Sequence, residues 1–129
     1  MPKEILIVDD EPGVVVPIQF LMEQQGYRVM IAERGEDALD LIYHYRPDLV
    51  LLDIMLPGID GYEVCEIIRL DPNFRDVKII FLIAKGREVE IAIGLALGAD
   101  VHITKPFSNA ALVAKAKELL ETTYEEAGG

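Results

Sequence analysis

Five short apolar runs recur along the chain: Ile5–Val8, Val29–Ala32, Leu49–Leu52, Ile79–Ala84 and Val101–Thr104. The third and fourth are almost continuously apolar and rich in Val, Ile and Leu. A strand covered on both faces needs that composition, as in a parallel sheet packed between helices. The fifth run is weaker, because His102 and Thr104 interrupt it.

Helical spacing fills the intervals. Between Gly35 and Tyr45, the residues Ala38, Leu41, Ile42 and Tyr45 fall at i, i+3, i+4 and i+7, one apolar stripe. Glu36, Asp37 and Asp40 face away from it, and acids in a first turn suit the helix dipole. Pro47 ends this helix and Gly26 the one before. Val64, Ile67 and Ile68 form the stripe of a third helix from Asp60, its N-cap, to Leu70. A fourth runs from Glu88 to Leu97 and stops at Gly98. Ser108 caps a fifth, which reaches about Thr122 with Leu112, Ala116, Leu119 and Leu120 inward. The first helix, after Asp10, is the least regular: Pro12 suits a first turn, while Pro17 should kink it or delay its start.

The order is (βα)5 with short connections, which predicts an α/β fold with an open, doubly wound parallel sheet and helices on both faces. A length of 129 residues fits one domain with a core of its own. Residues 1–122 form that domain, and the polar tail 123–129 is expected to fray. Lys and Arg total 12 against 23 Asp and Glu, a net charge of −11. Such a chain repels phosphate backbones and anionic membranes, so direct nucleic-acid binding is not expected. The single Cys65 has no internal disulfide partner, which fits a reducing, cytoplasmic setting. No apolar run approaches the ~20 residues that span a bilayer, and the N-terminus lacks a signal-peptide layout.

In a doubly wound sheet, ligands bind beyond the C-terminal strand ends near a topological switch point. Here the first run ends in Asp9-Asp10-Glu11, the third in Asp53 and the fifth in Lys105-Pro106. With strand order 2-1-3-4-5, these carboxylates and the lysine converge on one edge. Gathering Asp9, Asp10 and Asp53 is electrostatically costly unless a cation joins them or a proton is taken up. An all-oxygen ligand set favours a hard cation, Mg2+ or Mn2+. A carboxylate beside such a cation and a lysine can attack phosphorus to form an acyl phosphate. Glu11 reads as a helix-start acid, His44 as an exposed helix residue, and Met22, Met30 and Met55 as packing or loop residues.

The stretches ILIVDDEP at Ile5–Pro12, DLVLLDIMLPGIDGYE at Asp48–Glu63 and GADVHITKPF at Gly98–Phe107 resemble the receiver domains of two-component response regulators, over Ile5 to about Leu120. The second stretch is the most specific, since Pro57 and Gly61 follow Asp53 at the family's spacing of four and eight. The resemblance implies a flavodoxin-like fold with Asp53 as phosphoacceptor and Asp10 as a direct Mg2+ ligand. It also implies that Asp9 acts through a metal-bound water, that the Met55 backbone carbonyl is another ligand, and that Lys105 pairs with the phosphoryl group and Asp53. The Lys105–Pro106 bond is cis in that family. It further implies a phosphodonor that is a histidine kinase or phosphotransfer protein, and signalling by conformational change. The only chemistry expected is self-phosphorylation and slow autodephosphorylation, not enzymatic turnover. A phosphatase of the haloacid dehalogenase type also uses an Asp nucleophile, but it has Asp-x-Asp after its first strand, whereas Ile54 and Met55 follow Asp53.

Two positions depart from the family pattern. Ile83 stands where receivers carry Thr or Ser, and His102 stands where they carry a Tyr or Phe that turns inward. Ile83 has no donor for a phosphoryl group and its bulk fills the hydroxyl's space, so the alternative is a pseudo-receiver, an interaction domain with weakened or absent switching. His102 could add pH sensitivity. The stretch 94–100 resembles receivers attached to DNA-binding domains, which dimerise through the fourth helix, fifth strand and fifth helix. An output protein or a homodimer through that face is therefore an implied partner. Val101 takes the place of an acid common at that interface.

Overall fold

The computed structural model describes residues 2–84, 87 and 89–128, leaving aside the side chains of Val89, Glu90 and 122–128. Strands β1 (Glu4–Val8), β2 (Arg28–Ala32), β3 (Leu49–Asp53), β4 (Lys78–Ala84) and β5 (Val101–Lys105) alternate with helices α1 (Pro12–Gln24), α2 (Gly35–Tyr45), α3 (Gly61–Leu70), α4 (Val89–Ala96) and α5 (Asn109–Gly128). A 3-10 turn at Pro72–Phe74 follows α3. All pairings are parallel, in the order β2-β1-β3-β4-β5 that the sequence predicts.

The apolar runs become strands because two cores need them. Leu6, Val8, Val50, Leu52, Phe81 and Ile83 point into one core with α2, α3 and α4. Ile5, Ile7, Leu49, Leu51, Ile80 and Leu82 point into the other with α1 and α5. β3 is buried at all five positions, whereas the edge strand β2 exposes Ile31.

The caps follow the sequence. Asp60 accepts the Glu63 amide at 2.9 Å, and Ser108 Oγ accepts that of Ala111 at 3.0 Å. Four expectations change. α1 starts at Pro12 and runs on past Pro17 to Gln24, so Pro17 does not delay its start, and the proline at the first helical position forfeits no helical bond. Tyr45 is 54% exposed instead of inward, since Arg46 leaves the helix at φ 46 and the ring meets His44 outside. Glu36 does not simply face solvent, because it binds the Ile59 amide. The α5 backbone stays helical to Gly128, past the predicted Thr122, carried by the helix-favouring Glu125, Glu126 and Ala127. The predicted start of the fourth helix, Glu88, and the terminal Gly129 lie outside the described residues.

One side chain ties the far ends of these elements together. From α3, Arg69 donates to the Gly98 carbonyl (2.7 Å), the Val77 carbonyl (2.7 Å) and the Asp100 carboxylate (2.9 Å). Asp100 in turn accepts the Ile79 amide at 2.8 Å.

Candidate functional site

The parallel register brings the C-terminal ends of β1, β3 and β5 to one edge, and with them the predicted acids. Asp9, Asp10 and Asp53 each offer a carboxylate oxygen within 4.8 Å of the others. Asp9 is wholly buried and Asp53 nearly so, while Asp10 is exposed. The Asp9 carboxylate accepts the Glu11 amide at 2.9 Å, which fixes the turn into α1. Asp53 accepts the Met55 amide at 3.2 Å. Behind it the chain doubles back so tightly that a Cβ at Gly61 would run into the Asp53 carbonyl oxygen.

Lys105 reaches this cluster from the end of β5. Its Nζ lies 3.0 Å from Asp9, 3.6 Å from Asp53 and 3.5 Å from Glu11. Its closest partner is thus Asp9, a pairing across 96 positions that only the topology reveals. The next peptide bond, Lys105–Pro106, is cis.

The electrostatics follow from crowding. Burial and then the charge of Asp9 push the Asp53 carboxyl up to about 6, against Lys105 and the Met55 amide, which pull it down. Desolvation draws the Lys105 ammonium down, but its hydrogen bond to Asp9 and the charges of Asp53, Asp9 and Glu11 outweigh this and raise it above an ordinary lysine. One ammonium among these carboxylates leaves the cluster short of positive charge. A hard divalent cation satisfies such an all-oxygen set, so the residues fit one.

The remaining predicted positions are arranged around this edge. Met55 is exposed and lines a cleft with Asp10, Pro57, Asp60, Tyr62 and Arg87. Glu11, the N-cap residue of α1, meets Lys105 but is not part of the three-carboxylate group. Ile83 is 1% exposed in the α4-side core. His102 pairs with Phe81 and Thr104 with Ile83, so both β5 residues share that face. His44 is exposed and Met22 is core. Cys65 is buried with its Sγ 3.6 Å from the Leu97 carbonyl, and burial pushes its thiol up to about 11, so it is inert at neutral pH.

A five-stranded parallel sheet of order 2-1-3-4-5 with an acidic edge and a lysine defines a receiver-type signalling module. The family model of the response regulator receiver domain matches residues 5–117, and the chain belongs to that family. It is similar to a crystal structure of a candidate response regulator from Chloroflexus aurantiacus J-10-fl, with 37% identity, coverage of 93% of this chain and 98% of that one, and a TM-score of 0.89. The receiver domain of the sensor histidine kinase PA1611 from Pseudomonas aeruginosa PAO1, solved with magnesium in its active-site cleft, has 32% identity, coverage of 93% and 98%, and a TM-score of 0.84. NtrX from Brucella abortus matches with 27% identity over 99% of this chain and 29% of its own, at a TM-score of 0.89. Receiver domains are signalling modules that work with histidine kinases, not catalysts in their own right. Among the described residues, no helix is long and apolar enough to cross a membrane.

Proposed function

We propose that this domain takes a phosphoryl group onto Asp53 from a histidine kinase or phosphotransfer protein, with Mg2+ or Mn2+ bound, and signals by a change of conformation. The observation that carries this reading is the gathering of the buried Asp53 carboxylate with Asp9 and Asp10, with Lys105 3.6 Å from Asp53. Asp10, Asp53 and the Met55 carbonyl would hold the cation, and Asp9 would hold a water bound to it. The cation supplies charge neutralisation for the incoming phosphoryl oxygens.

The chain's own groups do the rest. An Asp53 oxygen attacks phosphorus in line. The new P–O bond forms as the P–N bond of a phosphohistidine breaks, and the electron pair leaves with the imidazole. Lys105 places its ammonium beside the transferred group. An apolar groove of about 370 Å³ borders Lys105 and is lined by Val14, Pro17, Ile18, Pro106 and Phe107. Val16 and Phe20, on the same helix as three of these residues, are exposed as well, so α1 offers a macromolecular donor apolar side chains to seat on. The signalling unit is residues 1–122, the setting is the cytoplasm, and the output is a protein partner or a second copy docked on α4, β5 and α5, without direct nucleic-acid contact.

Acetyl phosphate with Mg2+ is expected to add one phosphoryl group, read by intact mass, that hydroxylamine removes and Asp53→Asn does not accept. Lys105→Ala should impair the response more than metal binding. Phosphate on Ser108 or a Thr instead would refute the assignment.

The burial of Ile83 favours a second reading, the pseudo-receiver with blunted switching. A hydrogen bond to a charged phosphoryl is worth about 1.5–3 kcal/mol, roughly 10- to 150-fold in a two-state balance. Ile83 cannot make it. Hydrogen exchange across residues 85–104, with and without beryllofluoride, should therefore change little in the wild type and strongly in Ile83→Thr. Equal, full responses in both would show that Ile83 leaves the switch intact.

A further inference from the structure

Glu11 sits at the N-cap of α1 without capping it. That position favours Ser, Thr, Asp or Asn, whose short side chains reach the first free amides of the helix. The Glu11 side chain makes no such bond. Only its backbone carbonyl serves the helix start, accepting the Val14 and Val15 amides at 2.9 and 3.0 Å. The carboxylate goes instead to the Lys105 ammonium, at 3.5 Å, which Asp9 at 3.0 Å and Asp53 at 3.6 Å also share.

These three partners of Lys105 are not alike. Asp9 and Asp53 are buried and belong to the cation cluster, whereas the Glu11 side chain is 63% exposed and lies outside it. Its charge nonetheless reaches Asp53, where it is among the causes that push the carboxyl up. An incoming phosphoryl group is an anion that needs the same ammonium. Glu11 opposes it twice, by pairing with Lys105 and by adding a negative charge beside the site.

We infer that Glu11 is a positioning residue of the transfer site: its carboxylate competes with an incoming phosphoryl group for the Lys105 ammonium, and so restrains phosphoryl uptake from free anionic donors. This rests on the phosphoacceptor reading above. With acetyl phosphate as donor, the Asp53 oxygen–phosphorus bond forms as the bond to acetate breaks, and acetate leaves with the electron pair.

The test is the initial rate of phosphorylation of the full chain by acetyl phosphate at saturating Mg2+, read by intact mass. Glu11→Gln keeps the polarity and length of the side chain but not its charge. It should take up the phosphoryl group about 2- to 5-fold faster than wild type at about 0.05 M salt, the range that an exposed ion pair carries. The gain should fall by at least half at about 1 M salt, where charges are screened within about 3 Å. Glu23 is exposed on the same helix, about 18 Å further along, so Glu23→Gln tests net charge alone and should stay within about 1.5-fold of wild type. An equal or slower rate in Glu11→Gln at low salt overturns the inference while leaving the phosphoacceptor reading standing. A gain that salt does not reduce overturns it too, because its source would be local structure instead of charge. So does an equal gain in Glu23→Gln. Failure of both the wild type and Glu11→Gln to take up any phosphoryl group removes the phosphoacceptor reading and this inference with it.

Discussion

Replacing Asp53 by asparagine is expected to stabilise the metal-free domain by about 3 kcal/mol at pH 7, and hardly at all near pH 3.5. The folded-state carboxyl titrates at about 6 because burial and Asp9 disfavour its charge, against 3.8 for an unperturbed group. Between those values the folded chain keeps a proton that the unfolded chain has released. Stability from this group is therefore complete below the lower value and declines as pH rises through the window. Above the upper value the whole penalty is present. Asparagine removes the charge and with it the pH dependence. Urea unfolding in a chelator at both pH values measures the effect. A gain of equal size at pH 3.5 and pH 7 would mean that packing, not charge, is its source. Mg2+ should stabilise the wild type more than the variant, since the wild type has the larger repulsion to relieve on binding and one more carboxylate ligand.

Arg69→Ala should cost about 3 kcal/mol of stability, the largest loss expected from any half-buried polar side chain described above. One guanidinium serves two backbone carbonyls and a carboxylate. Its removal leaves the Gly98 and Val77 oxygens without that donor, and Asp100 keeps the Ile79 amide but loses its guanidinium. Lysine at this position should recover less than half, because a point charge cannot reach three acceptors as a planar fork does. Chemical denaturation of both variants gives the answer, and a loss below about 1 kcal/mol for alanine would show that the clamp contributes little.

The elements were legible because two-sided burial writes itself into sequence as unbroken Val, Ile and Leu. Each observed strand lies within one residue of its apolar run, and Asp53 and Lys105 turned out to be the last residues of theirs. The acids converged as expected, since the order of the strands alone carries them to one edge. Illegible were the contacts between distant polar groups. The nearness of Lys105 to Asp9, the fork of Arg69 and the reach of Glu36 to Ile59 depend on side-chain direction in the folded chain, which no local periodicity encodes. Tyr45 misled for the opposite reason. The helical spacing that placed it inward holds within a helix, but the chain leaves the helix at Arg46, right after it.

The seat of Gly61 against the Asp53 carbonyl makes the two flanks of the site unequal in compliance. Toward α3 the backbone has no slack, because the chain is already in contact with itself. Toward β4 the register partner of Asp53 is Leu82, held there by side-chain packing, which yields more readily than backbone in contact with backbone. A group added to Asp53 must push against the softer wall, so the direction of any mechanical signal is set by the stiffness of the α3 side.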